Sequence, residues 1–310
     1  SMTGLDPITV LLPVFGRPAL LGEALASVYQ QSDPHWRLLI ADDGSDAVTA
    51  DLLSQQLRDP RVSLVRRPQN LGLFANLNQA LCEIRTEWHL LLCSDDRLEA
   101  DAIATLRSCL AAHPDCDLVL SSYRSIDQNG NLRFDVNGLY YDHFAPVNRV
   151  FKPQELLAPL LRFGSINGNI TGLLIRTSLF ERTGPWRADW SQAADWEWLV
   201  RATHMTSVLV QRRPVAQVRV HPQQLSVSNR RLQREGEETL QVLASLLRQP
   251  ALAALPQRFR WAAHHAQFLL WNALKAAPRV GWLATWRQFG LIHRHVGLPR
   301  TALAMLRTLP

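Results

Sequence analysis

The stretch Trp88-His-Leu-Leu-Leu-Cys-Ser-Asp-Asp96 joins an apolar run directly to two adjacent carboxylates. A short apolar run that ends in polar residues is typical of a strand buried on both faces, as in a parallel sheet. In parallel sheets, ligands bind beyond the carboxyl ends of the strands, and Asp95 and Asp96 stand at such an end. The stretch therefore predicts both a parallel sheet and a polar site at its edge.

The segments around this stretch repeat an alternation of strand and helix. Apolar runs predict further strands over Ile8–Val14 and over residues 37–41, 62–65 and 117–121. Apolar residues at helical spacing lie between them, for example from about 73 to 84, and Ser45 or Asp46 can cap the helix that follows the second strand. This alternation favours βαβ units, so we predict an α/β fold with a Rossmann-like, mostly parallel sheet.

The second half of the chain changes character. Residues 123–134, with Asn129-Gly130 at their centre, predict a β-hairpin, and residues 207–211 and 215–220 predict two strands. A helix is expected from about Asp195. After about Asn229 the pattern is helical to the end, with breaks expected at four prolines: Pro250, Pro256, Pro278 and Pro299.

The net charge of +6 is concentrated in the tail. Residues 239–310 contain no Asp or Glu and nine Lys or Arg, which leaves 24 basic against 27 acidic residues, a net charge of −3, in the first 238. We interpret the tail as a helical bundle packed on the rest, or as a basic surface with tryptophans that contacts anionic lipid. No recognition motif supports nucleic-acid binding.

Several classes of protein are disfavoured by composition and motifs. The four cysteines form no CxxC pair, which is typical of reduced thiols in the cytoplasm. No apolar run approaches the roughly 20 residues of a membrane span, and the start lacks a signal-peptide pattern. There is neither a glycine-rich loop after the first strand nor a Walker lysine, which argues against dehydrogenases and P-loop enzymes. We expect a cytoplasmic protein, with peripheral contact at the inner face of the membrane left open.

Two strands end in paired carboxylates, Asp42-Asp43 and Asp95-Asp96. Like charges at neighbouring strand ends are unfavourable unless a cation or hydrogen-bond donors compensate them. A divalent metal with a nucleotide would do so, because Mg²⁺ or Mn²⁺ is commonly held by one or two carboxylates together with substrate phosphates. For Asp42-Asp43 alone, a turn with a helix cap is the simpler interpretation.

Between about Ile8 and Ser228 the chain resembles the family 2 glycosyltransferases, which have the GT-A fold. The resemblance rests on the order of six motifs along the chain, each of them weak alone. They are Leu12-Pro-Val-Phe-Gly-Arg-Pro18, Ala41-Asp-Asp-Gly-Ser45, Asn70-Leu-Gly72 followed by Asn78, Cys93-Ser-Asp-Asp96, Ala194-Asp-Trp-Glu-Trp198, and Val218-Arg-Val-His221 with Ser226.

The resemblance implies an inverting, metal-dependent transferase that uses a nucleotide-sugar donor. Asp195 matches the family's catalytic base, while Asp96 and His221 would bind the Mg²⁺ or Mn²⁺. Donor-binding roles fall on nine residues: Pro13, Phe15, Arg17, Asp42, Asp43, Asn70, Asn78, Asp95 and Arg219. Two structural roles stay open beside these, an N-terminal helix cap for Asp195 and a local hydrogen bond for His221.

These observations predict a GT-A catalytic domain over residues 1–228 and a basic helical extension over 229–310. Within the catalytic domain, the donor-binding half is expected over about 1–122 and the acceptor-binding half over about 123–228. We expect transfer of a hexose or deoxyhexose from a UDP- or dTDP-type donor to a glycan or lipid-linked acceptor, in bacterial surface polysaccharide biosynthesis. The tryptophans near Asp195 and the loop over 167–172 are candidate acceptor contacts. The alternatives are a sugar-phosphate nucleotidyltransferase and a non-catalytic GT-A-like interaction protein.

Overall fold

The computed structural model describes residues 6–134, 137–167, 169–220 and 229–307. Their strands are β1 (Ile8–Val14), β2 (Trp36–Asp42), β3 (Val62–Arg66), β4 (Trp88–Leu91), β5 (Arg97–Leu98), β6 (Cys116–Ile126), β7 (Leu132–Arg133), β8 (Arg149–Phe151), β9 (Leu174–Arg176) and β10 (Ser207–Arg219). The α-helices are α1 (Pro18–Tyr29), α2 (Ala47–Gln56), α3 (Leu73–Leu81), α4 (Ala102–Ala112), α5 (Asn137–Phe144), α6 (Leu157–Phe163), α7 (Leu179–Thr183), α8 (Ala194–Met205), α9 (Asn229–Leu247), α10 (Arg258–Val280), α11 (Trp282–His295) and α12 (Leu298–Leu306).

The strands form one sheet in the order β3-β2-β1-β4-β9-β6-β10-β5, with β7 beside β6 and β8 beside β10. The longer strands β3, β2, β1 and β4 are parallel to one another, and β6 is parallel to β10. The short strand β9 runs antiparallel to β4 and β6, between which it lies. The carboxyl ends of β1, β2 and β4 therefore meet at one edge. The predicted α/β fold with a mostly parallel sheet is confirmed.

An apolar core lies on each face of the sheet, which explains why the parallel strands are almost continuously apolar. Every residue of β1 is buried, so its alternate side chains supply both faces. One core packs α1 and α4 against the sheet, and the other packs α3, α6 and α8 there. The capping prediction for α2 is confirmed at Asp46, whose carboxylate accepts the backbone N–H of Thr49.

The hairpin predicted over 123–134 is present, but its first strand belongs to the central sheet. Strand β6 continues without a break to Ile126 and then pairs with β7 across a turn at Gly130, where φ is 85°. The two strands predicted over 207–211 and 215–220 are wrong as separate strands. They form the single strand β10, whose pairing with β6 shifts register between Gln211 and Ala216. A β-bulge of this kind keeps one strand continuous where the alternation of the sequence is interrupted.

The helical extension predicted from Asn229 is present as α9 to α12. Pro250 opens a short 3₁₀ turn, and Pro256 lies between that turn and α10. The break expected at Pro278 is wrong, because α10 continues to Val280 and ends at Gly281, where φ is 85°. Pro299 lies in the first turn of α12, where a missing N–H leaves no hydrogen bond unmade.

The extension shares a core with the sheet. Leu240, Leu243 and Leu246 of α9 belong to the same buried cluster as Leu160 of α6 and Trp198 of α8. Helix α10 also contacts α6 directly. Residues that the sequence assigned to separate halves of the chain therefore pack against one another.

Candidate functional site

The loop that follows β1 forms one wall of a cavity at the carboxyl edge of the sheet. Phe15 is 58% exposed there, although it is apolar. Gly16 and Arg17 both have positive φ, at 67° and 54°, and Arg17 precedes the first helical residue, Pro18. This tight left-handed turn lets α1 begin immediately after β1, while Phe15 and Arg17 remain on the cavity wall.

The cavity has a volume of about 560 Å³ and opens at the ends of β1, β2 and β4. Its lining includes six of the residues expected to bind the donor: Pro13, Phe15, Arg17, Asp43, Asn70 and Asp95. It also includes Leu73 and Asn76, which the sequence did not single out. A larger cavity, of about 650 Å³, lies at the opposite edge, around Asp6 and Ser63. Parallel α/β sheets bind their ligands at the carboxyl edge, so we take the smaller cavity as the candidate site.

The carboxylates of Asp42 and Asp43 are both engaged by the protein itself. Asp42 is fully buried, accepts the backbone N–H of Ser45 and forms an ion pair with Arg66 at 3.0 Å. Asp43 accepts the backbone N–H groups of Leu71 and Gly72 at 2.8 and 3.0 Å. Asp42 thus fixes the turn after β2, and Asp43 ties that turn to the loop that carries Asn70. Only Asp43 of the pair lines the cavity.

The pair at the end of β4 is divided into an accessible and a buried carboxylate. Asp95 lines the cavity, and its side chain lies 3.5 Å from the guanidinium of Arg17. Asp96 is 1% exposed and accepts hydrogen bonds from Asn169 and Thr171 at Oδ2 and from the backbone N–H of Arg219 at Oδ1. Burial, with the nearby charge of Asp95, raises the pKa of Asp96 to about 6.

Asn169 and Thr171 were expected to contact the acceptor and instead hold Asp96. Their side chains lie 2.7 and 2.5 Å from its Oδ2 atom. The hydroxyl of Thr171 also accepts the backbone N–H of Cys93, so it joins the loop before β9 to the end of β4. An amide and a hydroxyl close together before a strand are common in loops. The sequence therefore held no signal that they bind a carboxylate 75 residues away.

The guanidinium of Arg219 lies outside the cavity. Its side chain is 1% exposed, and it donates to the carbonyls of Asp95, Asp127 and Gln128. It also forms an ion pair with Glu23 at 2.6 Å. Arg219 therefore joins the end of β10 to the turn at Asp95, which is a structural arrangement unlike the contact with a diphosphate that the resemblance implied.

Asn78 is likewise placed away from the cavity. Its side-chain amide donates to the backbone carbonyl of Trp186 and accepts the backbone N–H of the same residue, both at 2.9 Å. This two-point contact fixes the segment between α7 and α8. The asparagines that line the cavity are Asn70 and Asn76, and the side chain of Asn76 donates to the carbonyl of Ala41.

Asp195 is the second residue of α8 and is 9% exposed. It does not cap the helix, because the residue at the N-cap position is Ala193. Its Oδ1 atom accepts the backbone N–H of Trp196 at 2.8 Å. Among the residues that the structure describes, no basic side chain forms an ion pair with it. Burial, with a smaller effect from Glu238, raises the pKa of Asp195 to about 6.

Cys93 lies in the short segment between β4 and the acid pair and lines the cavity. Burial raises the pKa of its thiol, and the charges of Asp96, Asp95 and Asp195 raise it further. The cavity lining thus contains Cys93 with the predicted donor carboxylates Asp43 and Asp95, and the predicted base Asp195 lies outside that lining.

The tryptophans around Asp195 are core residues. Trp186, Trp196 and Trp198 are at most 6% exposed, and the rings of Trp186 and Trp198 lie 4.7 Å apart. Trp190 is 8% exposed and packs under Arg187. Buried rings cannot stack on a sugar, so these residues shape the acceptor side without forming its surface.

Of the two predicted metal ligands, the structure describes Asp96, whereas His221 lies outside the described residues. Within the described ranges there is no group of three or more His, Cys, Asp or Glu side chains arranged to hold a metal ion. Asp95 and Asp96 offer two adjacent carboxylates, which is the number of protein ligands that a Mg²⁺ shared with substrate phosphates commonly has. Of the helices in the described ranges, none has the length and apolar character that a membrane crossing requires.

Curated proteins of known sequence include several similar glycosyltransferases. The putative teichuronic acid biosynthesis glycosyltransferase TuaG of Bacillus subtilis is 32% identical over 104 residues, 33% of this chain and 41% of that protein. An uncharacterized protein of Sinorhizobium fredii, y4gI, is 35% identical over 40% of this chain and 14% of its own length. The chain thus spans less than half the length of these two relatives. A PGL/p-HBAD biosynthesis glycosyltransferase of Mycobacterium bovis is 23% identical over 62% of this chain and 68% of that protein.

Solved structures share the fold at low sequence identity. S. aureus TarS 1-349, crystallised with UDP-GlcNAc, superposes with a TM-score of 0.68 at 13% identity, covering 97% of this chain and 90% of that chain. The mannosyltransferase PcManGT of Pyrobaculum calidifontis, with GDP-Man and Mn²⁺, gives 0.56 at 18% identity over 97% and 79%. These similarities confirm the predicted GT-A fold. The sequence model of glycosyl transferase family 2 matches residues 9–179, more than half of the chain. The protein is therefore a member of glycosyl transferase family 2.

Proposed function

We propose that the protein is a metal-dependent, inverting glycosyltransferase that moves a hexose or deoxyhexose from a UDP- or dTDP-type donor to a glycan or lipid-linked acceptor. One observation carries the proposal: the cavity at the carboxyl ends of β1, β2 and β4 is lined by six of the nine residues expected to bind a nucleotide-sugar donor. A donor cavity, together with a buried carboxylate that can act as general base, is what a single displacement requires.

The burial of Asp195 suits the role of base. An acceptor hydroxyl is a poor nucleophile until a positioned group removes its proton. With its pKa raised to about 6, Asp195 is ionised at neutral pH and is also more basic than an ordinary aspartate. The hydroxyl oxygen attacks the anomeric carbon, its proton passes to Asp195, and the bond from that carbon to the donor phosphate breaks. One such displacement inverts the anomeric centre, and the nucleoside diphosphate leaves with the electron pair.

The exposed ring of Phe15 and the backbone around Asp43 and Asn70 suit a nucleoside. An aromatic ring that is 58% exposed at a cavity wall can stack on a base. Asp43 is held by two backbone N–H groups, which fixes the wall without external help. Asp95 lies deeper, at the end of β4, where the ribose or the sugar would follow.

The charge of the cavity supports a cation. Arg17 is the one basic side chain among the described residues that line it, against the carboxylates of Asp43 and Asp95, with Asp96 behind. A diphosphate would meet net negative charge there. Asp95 and Asp96 would hold Mg²⁺ or Mn²⁺, and Oδ1 of Asp96 accepts a single hydrogen bond, which leaves a lone pair for a metal. When bound, such a cation neutralises the charge that develops on the leaving diphosphate.

Relatives suggest the acceptor class. The names of TuaG and of the mycobacterial relative refer to the biosynthesis of teichuronic acid and of PGL/p-HBAD. We propose a biosynthetic role of this kind for the present chain, with a glycan or lipid-linked acceptor in bacterial surface polysaccharide biosynthesis. Two observations disfavour the alternative activities. The cavity wall between Pro13 and Arg17 lacks the glycine-rich basic loop of a nucleotidyltransferase, and a non-catalytic protein would have no need of a buried Asp195 without a basic partner among the described residues.

A lipid-linked acceptor would fit the exposed face of α11. Trp282, Leu283 and Trp286 are 62–71% exposed at the start of this helix. Arg279 and Arg287 are exposed beside them, and no acidic residue occurs after Glu238. Tryptophans with flanking arginines on a helix favour the headgroup region of anionic membranes. We therefore include peripheral contact with the inner face of the membrane in the proposal.

Vesicle sedimentation tests the membrane contact. We expect the protein to sediment with vesicles of phosphatidylcholine and phosphatidylglycerol at low salt, and Trp286→Ala with Trp282→Ala to weaken binding on the order of tenfold. Phe134→Ala, at an even more exposed aromatic residue outside the extension, is the control. Equal binding of both variants, or binding to neutral vesicles alone, contradicts this part of the proposal.

A thermal-shift panel tests the donor. The protein is mixed with UDP-, dTDP- and GDP-sugars, each with and without Mn²⁺, and release of the nucleoside diphosphate is followed in parallel. We expect UDP- or dTDP-sugars with Mn²⁺ to raise the melting temperature most. The absence of stabilisation and of release across the panel would overturn the proposed function.

A further inference from the structure

Glu238, in the first helix of the extension, is the last acidic residue of the chain and is 5% exposed. Its carboxylate accepts three consecutive backbone N–H groups, from Ser191 at 2.9 Å, Gln192 at 2.8 Å and Ala193 at 2.9 Å. These residues immediately precede α8. A buried carboxylate that is fully used by another segment of the backbone fixes that segment in place.

Helix α8 has no N-terminal cap of its own. The N-cap position is occupied by Ala193, whose methyl group cannot accept a hydrogen bond. The unpaired N–H groups at a helix start carry partial positive charge and bind anions well. Glu238 of α9 supplies an anion at the approach to this helix. It accepts the N–H of Ala193, which lies 45 residues earlier at the N-cap position, and those of the two residues before it.

Asp195 lies two residues after the segment 191–193 that Glu238 holds. The carboxylate of Glu238 holds residues 191–193, and Asp195 is the second residue of the helix that begins at Ala194. Any shift of the segment moves the start of α8 and the carboxylate of Asp195 with it. The apolar contact between α9 and α8, through Leu240 and Leu243, fixes the approach of the two helices but not the position of the loop.

We infer that Glu238 is a positioning residue for catalysis, which holds the segment before α8 so that Asp195 faces the donor cavity, and that the extension thereby completes the active site. The inference rests on the proposed function, because it takes Asp195 as the base. It assigns residues 229–310 a role in the chemistry in addition to any role at a membrane.

The charge of Glu238 also acts on Asp195. Burial is the main cause of the raised pKa of Asp195, and Glu238 adds to it. Asp195 in turn adds to the raised pKa of the Cys93 thiol, and His265 of α10 packs on the neighbouring Trp196. On α8 itself, the nearest charged pair is Glu197 with Arg201, which neutralise one another.

Three variants separate the effect of the length of the Glu238 side chain from the effect of its charge. Glu238→Gln keeps the length but presents an NH₂ group to one of the backbone N–H donors and removes the charge. Glu238→Asp keeps the charge but is one methylene shorter. Glu237→Gln changes an exposed neighbour on the same helix and is the matched control. Hydrogen exchange of residues 191–193, turnover of the donor selected by the panel, and the pH dependence of kcat are measured on each.

We expect faster exchange at residues 191–193 in both Glu238 variants and a fall in kcat of about ten- to a hundredfold, with donor KM within about twofold of wild type. The acid limb of kcat should move to lower pH in Glu238→Gln alone, because only that variant removes the charge that raises the pKa of Asp195. Glu237→Gln should match wild type in all three measurements.

Faster exchange with kcat and pH limb unchanged would overturn the inference, because Glu238 would then serve stability alone. Unchanged exchange would overturn it as well. If the wild-type protein releases no nucleoside diphosphate from any donor, the proposed function is wrong. The exchange data then still show whether Glu238 holds residues 191–193. If Glu238→Gln does not fold, Glu238→Asp carries the test through kcat and exchange.

Discussion

The two ends of the candidate site are held in different ways. At the donor end, Asp95 is a partly exposed carboxylate on the cavity wall, and its partner Arg17 comes from the adjacent loop at the same edge of the sheet. At the acceptor end, Asp195 is buried, has no basic partner among the described residues, and depends on Glu238 of a distant helix. A carboxylate that binds needs access to solvent, whereas one that takes a proton is improved by burial, because burial raises its pKa. The difference in environment therefore matches the difference in proposed role.

The largest effect is expected for Asp195→Asn. This change removes the proton acceptor with little change in shape, so kcat should fall by about 10²–10⁴-fold. Release of the nucleoside diphosphate in the presence of acceptor is the measurement. Asp115→Asn, at an exposed aspartate far from the cavity, should retain full activity. A loss below tenfold would show that another group takes the proton.

The next largest effect is expected for Asp95→Asn. The change removes an accessible carboxylate from the cavity wall while Arg17 remains, so Mn²⁺-dependent donor affinity should fall by about 10–100-fold. Isothermal titration with and without Mn²⁺ measures this. If the metal dependence is as large in the variant as in the wild type, then Asp95 does not help to hold the cation.

The pH dependence of kcat should follow Asp195. Because its pKa is raised to about 6, the ionised form is lost as the pH falls through 6, and kcat should drop about tenfold per pH unit below that value. Measurements from pH 5 to 8 at saturating donor check this. Donor affinity over the same range is the control, since burial also raises the pKa of Asp96 to about 6. A kcat that stays constant down to pH 5 would contradict the raised pKa of Asp195.

The smallest effects concern stability and should have opposite signs at the two ends. A buried acid whose pKa is higher in the folded state binds its proton more tightly when folded, so the folded state loses stability as the pH rises from about 4 to 6. Asp195→Asn should therefore raise the free energy of unfolding at pH 7.5 by on the order of 1–3 kcal/mol, and hardly at all at pH 4. Asp42→Asn weakens the contacts of a buried carboxylate with the half-exposed Arg66 and the backbone N–H of Ser45, and should lower the free energy of unfolding by about 1–3 kcal/mol.

Urea unfolding at the two pH values measures both changes. A destabilised Asp195→Asn variant at pH 7.5 would show that the carboxylate of Asp195 is well stabilised in the folded protein, contrary to its raised pKa. An unchanged Asp42→Asn variant would show that the contact with Arg66 adds nothing to stability.

The sequence predicted what local pattern determines. Apolar runs fixed β1, β2 and β4, and the carboxylates that follow these strands lie at one edge because parallel strands end there. The lining of the cavity by Phe15, Asp43 and Asp95 was predicted for that reason. The helical extension was predicted equally well, because its apolar periodicity is strong.

The sequence did not predict features that depend on contacts between residues far apart along the chain. The single strand β10 escaped prediction because its bulge is defined only by pairing with β6. Arg219 and Asn78 carry the polar groups expected of a binding site. The side chain of each is instead hydrogen-bonded to backbone groups at least 90 residues away in sequence. Nothing near Glu238 marks it as the cap of a helix 45 residues earlier. A motif indicates which residue types a site needs. It does not show which of those side chains are hydrogen-bonded to other parts of the protein.

The division of the site into a donor end at β4 and a base on α8 is tested most directly by the donor dissociation constant in Mn²⁺, measured by isothermal titration on wild type, Asp195→Asn and Asp95→Asn. We expect Asp195→Asn to bind donor as wild type does, within about twofold, while Asp95→Asn binds at least about tenfold more weakly. Equal weakening in both variants, or weakening in Asp195→Asn alone, would contradict that division.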